Sequence, residues 1–329
     1  MRSGVLLPVL ALLVAGLFLC SLLVGPAGIG PAAGVRALIG GEGGASVLVM
    51  REIRLPRAIL GLLIGAGLGL SGAAMQGVLR NPLAEPGLIG VSSAAALGAV
   101  LSIHTGLYAA MSLSLPIAAL AGAGVAVGLI LTLAGPGGRT VTLILAGVAV
   151  SALAAALTSL VLNLSPNPYA AAEIVFWMMG SLSDRSMAHV WLAAPFLILG
   201  MGVLLTMGRG LDALTLGEDA AASMGFGLAR ARLMLTLGTA AVVGAATAVA
   251  GTVGFIGLVV PHLLRRATGG IPSRLLPASA LGGAALMLAA DVATRVIAPD
   301  RDLKLGVLTA LVGAPFFLHL IRRTAREGA

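Results

Sequence analysis

The sequence predicts an all-α, polytopic membrane protein, and three observations carry that expectation. Hydrophobic residues make up 59% of the 329-residue chain and charged residues only 10%, which leaves too little polar surface to cover a soluble globule. Apolar runs of about 20 residues recur along the whole length, each enough to cross a hydrocarbon core of about 30 Å as a helix. The 47 glycines sit inside those runs, where small residues let helices approach closely.

Ten spans are expected, at roughly 5–25, 57–79, 88–104, 112–134, 141–163, 190–208, 232–250, 253–266, 275–295 and 305–322. The first resembles a secretory signal but lacks a small-residue cleavage site. Leu19 before Cys20 also does not suit lipoprotein processing, so an uncleaved span is expected. Cys20 is the sole cysteine, which excludes an internal disulfide. The formal net charge is +8, but the basic residues are scattered singly between spans without a stripe, so nucleic acid is not an expected partner. With the N-terminus cytoplasmic, an even span count brings both termini to one side. The positive-inside rule then places twelve of the 20 basic residues inside. The outer set (Arg36, Arg51, Arg54, Arg57, Arg185, Arg295, Arg301 and Lys304) is unusually rich for that face.

The second span carries a ladder of small residues, Gly61, Gly65, Gly69, Ala73 and Gly77, four apart and therefore on one helix face. Such a face suits tight packing and predicts a central helix. It runs into RNPLAEPGLIG (80–90), where Pro82 and Pro86 push Asn81 and Glu85 out of helical geometry and predict an ordered turn. A second polar break, VVPHLLRRATGG (259–270), also follows a glycine-rich helix and precedes a Ser/Ala/Gly-rich span. Within a single transmembrane domain, 1–329, this is a weak internal repeat over about 57–163 and 232–322.

Residues 211–230 form a polar island between two apolar runs and read as a short helix. Asp212 is expected to cap that helix, and Glu218 and Asp219 fall in its first turn, where negative charge is favoured. Gly225 and Gly227 are expected to end it. A capped helix between spans has no bilayer reason to exist, so it is read as a handle for another protein, against the alternative of an ordinary loop.

Nothing in the chain suggests catalysis. His104, His189, His262 and His319 lie far apart without ligand spacing, so no metal site is expected. A phosphate loop of the GxxxxGK[ST] type needs a lysine, and the one lysine, Lys304, is preceded by Arg301, Asp302 and Leu303. Any ATPase must be another chain.

Several segments resemble the permease subunit of type II ABC importers, the FecCD and BtuC-like family. They are RLPRAILGLLIGAGLGLSGAAMQGVLRNPLAEPGLIGVSSAAALGA (54–99), ILAGVAV (144–150), WMMGSL (177–182), GEDAAASMGF (217–226), GFIGLVVPHLLR (254–265) and the stretch from DVATR to LGVLTALVGAPFFLHLI (291–321). The resemblance covers nearly the whole chain in family order. It implies a homodimer of ten-span subunits in the bacterial inner membrane, with two ATP-binding cassette subunits on the cytoplasmic side and a periplasmic substrate-binding protein above. ATP and Mg would be used by the partner ATPase, and no cofactor would be bound covalently here. The family's coupling helices fall on 211–230, which assigns ATPase contact to Leu216, Gly217, Glu218, Asp219, Ala220, Ala221, Met224 and Gly225. Docking of the binding protein falls on Arg54, Arg57 and Arg295, where snorkelling of long cationic side chains is the alternative. The cytoplasmic gate falls on Arg139 and Thr140, with Arg139 standing where the family can have serine. Lys304 replaces the family's proline before the tenth span. The transported cargo implied is haem first, a ferric siderophore second and cobalamin third. An ion-coupled secondary transporter is the rival of a different class. It would want carboxylates within the spans, where Asp291 is the nearest approach.

Overall fold

The computed structural model describes residues 3–40, 44–111, 113–135, 140–165, 168–298 and 301–327, and these form helices joined by turns. Ten apolar helices organise the chain: α1 Ser3–Leu23, α2 Leu55–Val78, α3 Val91–His104, α4 Ser114–Ala134, α5 Thr140–Asn163, α6 Met187–Thr206, α7 Leu228–Ala250, α8 Ile256–Arg265, α9 Pro272–Ile297 and α10 Leu305–Glu327. Seven are long and apolar enough to cross a bilayer; α3, α8 and the apolar part of α10, Leu305–Leu318, are shorter. The protein is thus an all-α polytopic membrane protein. Hydropathy alone did not separate the short helices Pro31–Ile39, Leu107–Ala110 and Pro168–Met178 from the connections around them.

Helix α2 lies at the centre, in contact with α1, α6, α7, α8 and α9. Its small-residue ladder explains how so many neighbours fit. A β-carbon at Gly61 would stand 3.2 Å from Leu288, and at Gly65 or Gly69 it would run into the backbone of Gly283 or Ser279 on α9. Ala73 is buried, and the last rung, Gly77, receives Leu211 from the 211–230 segment. Lipid is as apolar as these side chains, so close van der Waals contact between backbones, not hydrophobic burial, favours the pairing.

Two interruptions of the helices meet beside α2. The first, 79–90, begins with Arg80 at a left-handed φ of 47°. An Asn81 side chain accepts the Leu83 N–H, and a 3-10 turn, Pro86–Ile89, leads into α3. Glu85 is extended, φ −120° and ψ 143°, as a residue before proline should be. The second interruption, 251–255, separates α7 from α8 and ends at Phe255, also left-handed at φ 68°. Sequence pattern instead placed a break at 259–270. Val259–Arg265 is helical, and the turn there is confined to 266–271. Pro261 lies inside α8 and cannot donate to the Gly257 carbonyl, which the Gln76 side-chain amide approaches instead at 3.5 Å.

Candidate functional site

Chemistry-bearing side chains gather at the two ends of the bundle and at the interruptions between them. The 24 residues of α2 hold the ends about 36 Å apart.

At one end, Arg57, Asp291 and Arg295 form a cluster around one carboxylate. Asp291 is buried, with Oδ1 2.8 Å from Arg57 Nε and Oδ2 2.8 Å from Arg295 Nη2. Arg57 also donates to Ser183 Oγ at 3.3 Å. The i,i+4 spacing of Asp291 and Arg295 on α9 makes the second pair local, whereas Arg57 reaches it from α2. Arg295 then donates to the carbonyls of Ser21 (2.8 Å) and Val24 (2.7 Å), and Arg54 to those of Leu22 (3.0 Å) and Leu23 (2.9 Å). Four consecutive carbonyls at the C-terminus of α1, which helix geometry leaves without amide partners, are therefore satisfied by two guanidinium groups. Cations at a helix C-terminus are also favoured by its dipole. Arg54 and Arg295 thus have internal partners, and Arg57 is the most open of the three arginines, its side chain 15% exposed. A cleft of about 400 Å³ beside them is lined by Arg57, Ser183, Asp184, Arg295, Arg301 and Asp302, among others. Nearby, Lys304 pairs with Asp302 and lies 5.7 Å over the Phe176 ring, so the position held by proline in the family pattern is tied down by charge.

At the other end, 211–230 is a pair of helices rather than one, Gly208–Leu214 and Glu218–Ser223. Asp212 does not cap the second of them. It lies inside the first helix, and its Oδ1 accepts the Ser273 N–H at 2.8 Å, capping α9 from a distance. The residue at that N-cap, Ile271, has no oxygen to offer. Leu211, Leu214 and Ala221 are buried, and the Phe226 ring lies where a β-carbon on Gly210 would be. The second helix is thus pinned from below with its outer surface free. Gly217 and Gly225, at φ 110° and 83°, make the reversals on either side that L-residues resist. Between them Glu218 and Asp219 are exposed in the first turn, flanked by Leu216 and Met224, 71% and 57% exposed. Glu218 Oε1 lies 3.7 Å from Arg80 Nη2, so the segment touches the first interruption directly.

The interruptions themselves are joined by two side chains that sequence pattern did not single out. Glu85 Oε1 accepts the Phe255 N–H at 2.8 Å. Gln76 donates towards the carbonyls of Ala84, Gly257 and Leu258 at 3.4–3.5 Å and accepts from Arg265 Nη2 at 2.6 Å. The signal was present: Gln76 is a polar residue inside an apolar span, and such residues are functional suspects. Of the two gate residues, Arg139 lies outside the described residues and Thr140 opens α5 with its side chain not described. Among the described residues no cluster of His, Cys, Asp or Glu could hold a metal. His189 Nδ1 lies 3.1 Å from Ser186 Oγ at the start of α6, a capping arrangement.

A many-helix membrane bundle with discontinuous helices at its middle and a protein-accessible helix at one end is the architecture of a transport permease. A profile of the FecCD transport family matches residues 12–323, and the chain belongs to that family. The hemin transport system permease protein HmuU of Yersinia pestis is 40% identical over 287 residues, 84% of each chain. The cobalamin import system permease protein BtuC of Halobacterium salinarum is 40% identical over 277 residues, 84% of this chain and 73% of its own. A solved inward-facing structure described as an ABC transporter of metal-chelate type superposes with a TM-score of 0.84 at 31% identity, over 96% of this chain and 98% of that one.

Proposed function

We propose that this chain is the membrane subunit of an ATP-driven, binding-protein-dependent importer of an iron chelate, with haem as first cargo to test, ferric siderophore second and cobalamin third. It works as a homodimer in the bacterial inner membrane with both termini cytoplasmic, two ATP-binding cassette subunits below and a periplasmic binding protein above. The observation that carries this reading is the exposed helix Glu218–Ser223, pinned on its inner side and presenting two acids between two exposed apolar residues. Residues Leu216 to Ala221, Met224 and Gly225 supply the ATPase contact, and Arg139 and Thr140 the gate. The Arg57 cleft receives an acidic surface of the binding protein, with Arg54 and Arg295 holding the floor of that cleft in place. Both oxygens of Asp291 are already engaged by guanidinium groups, which weighs against ion-coupled transport.

Reconstitution of the chain with its co-encoded ATPase and binding protein in liposomes, followed by uptake of haemin with Mg-ATP inside, tests the reading. Uptake that needs ATP and stops with vanadate is expected. Glu218→Arg with Asp219→Arg should leave ATP hydrolysis running while uptake falls at least about tenfold, the size expected when charged contacts at an interface are reversed. Uptake by the purified chain alone would overturn it.

A further inference from the structure

The interruption at 251–255 is costly to hold open, and the contacts that hold it come from elsewhere in the chain. In an apolar environment each backbone group freed from a helix needs a partner. The Gly251 N–H stays with Thr247, the Ala250 carbonyl accepts the Ser181 N–H at 2.7 Å, and Thr252 Oγ1 donates to the Met178 carbonyl. The Phe255 N–H goes to Glu85. Phe255 is a bulky residue in the left-handed region, a conformation that persists only when its surroundings impose it. Two contacts impose it here. Its ring occupies the space a side chain at Gly313 of α10 would need, and its amide is held by the carboxylate of Glu85, a negative group at the N-terminus of α8, where one is favoured.

Glu85 lies in the same loop as Arg80, which meets Glu218. On its other side the 251–255 stretch meets Gly180 and Gly306, whose N–H donates to the Gly180 carbonyl. Three residues beyond Gly180 is Ser183, a partner of Arg57. Glu85 therefore stands where the two interruptions join, between the acid end and the arginine end. It also walls a cavity of about 110 Å³, with Ser92, Thr247, Thr252 and the 251–254 backbone around it. That is room for several waters among polar groups, so a Glu85 carboxylate that lets go of the Phe255 amide has other partners ready. The closed and released arrangements can then differ by little free energy, which is what a switching element needs.

We propose that Glu85 is a positioning residue that latches the 251–255 interruption through the Phe255 amide, and that it carries movement of the Glu218 segment into α8 and α10. The transmission half of this proposal rests on the permease reading above; the latch half does not.

Hydrogen exchange on the full-length chain, alone and bound to its ATPase, separates the two halves. In the chain alone, Glu85→Ala should speed exchange of the peptide covering 251–258 about tenfold or more, as expected on losing a hydrogen bond to a charged acceptor. Exchange in the α2–α9 core should stay as it is. Glu85→Met keeps much of the side-chain volume but offers no oxygen acceptor and should exchange about as fast as Glu85→Ala, which a simple packing role would not produce. Equal exchange in all three proteins would overturn the latch. In the complex, trapping with Mg-ATP and vanadate should change exchange at 251–258 in the parent but not in Glu85→Ala; the same change in both would overturn transmission. If the ATPase fails to bind the parent chain, the permease reading falls and transmission with it, while the result on the chain alone still decides the latch.

Discussion

The two charged ends of the bundle are built on opposite principles. At the arginine end the charges turn inward: a buried aspartate is shared by two guanidinium groups, and two guanidinium groups close the carbonyl end of α1. At the acid end they turn outward, with Glu218 and Asp219 on an exposed turn and a long contact from Glu218 to Arg80. An inward-turned cluster is held in place because any one member that leaves strands a buried partner without its counter-charge. An outward-turned pair is free to change partners. The difference separates an end whose charges hold one another in place from an end whose charges are open to new partners.

The largest effect should come from breaking the inward cluster at its centre. Asp291→Leu leaves Arg57 and Arg295 facing each other without their anion, and loss of one member of a buried ion pair costs about 3–5 kcal/mol. Thermal unfolding in detergent should show a large fall in stability, and α1 should become more accessible to proteolysis because Arg295 is no longer held. The Glu218→Arg, Asp219→Arg variant should change unfolding by less than about 1 kcal/mol, the scale of an exposed ion pair. Comparable losses at both ends would erase the contrast.

A smaller loss is expected where neither end is touched. Gly69→Ala forces a methyl group against the Ser279 carbonyl, and overpacking a tight contact costs about 1–3 kcal/mol. The same unfolding measurement should show α2 and α9 loosening together, with the arginine cluster following because Arg57 and Asp291 sit on those two helices. An unchanged midpoint would mean that the backbone contact has room to give.

How much of this was legible in the sequence depends on the range of the interaction. The ten apolar helices, the α2 ladder and the turn at 80–90 are written in length, spacing and proline placement, which are local and survive without knowledge of neighbours. The internal pair Asp291–Arg295 is likewise an i,i+4 relation. What hydropathy did not reveal is where polar groups find partners. Asp212 looks like a cap for its own segment and instead caps α9, 61 residues away in sequence. Arg54 looks like a free cation at a membrane edge and Arg295 like half of a local pair, yet both also serve carbonyls of α1. Phe255 inside GFIGLVV reads as part of an apolar span, although the chain there is interrupted and closed by Glu85. A pattern of apolar residues reports that a segment is out of water; it carries no record of which backbone groups remain bonded.

The smallest expected effect tests whether an ion-polar contact on the arginine side but outside the cluster behaves like an exposed one. Tyr108, in the short helix between α3 and α4, donates to Glu173 Oε2 at 2.8 Å on the protein surface. That hydrogen bond, followed by the charge of the carboxylate and by slight desolvation, raises the Tyr108 pKa above the usual phenol value. The direction follows from charge: ionising the phenol puts an anion next to a carboxylate and forfeits the donated hydrogen bond, so deprotonation is delayed to higher pH. The chain has two tyrosines, and Tyr169→Phe leaves Tyr108 as the one phenol in an absorbance titration. Glu173→Gln in that background should move the titration midpoint to lower pH, and added salt should shift the parent the same way by screening the carboxylate. A midpoint that ignores both would show that the contact is too weak to hold at the surface, unlike the buried pairs around Asp291.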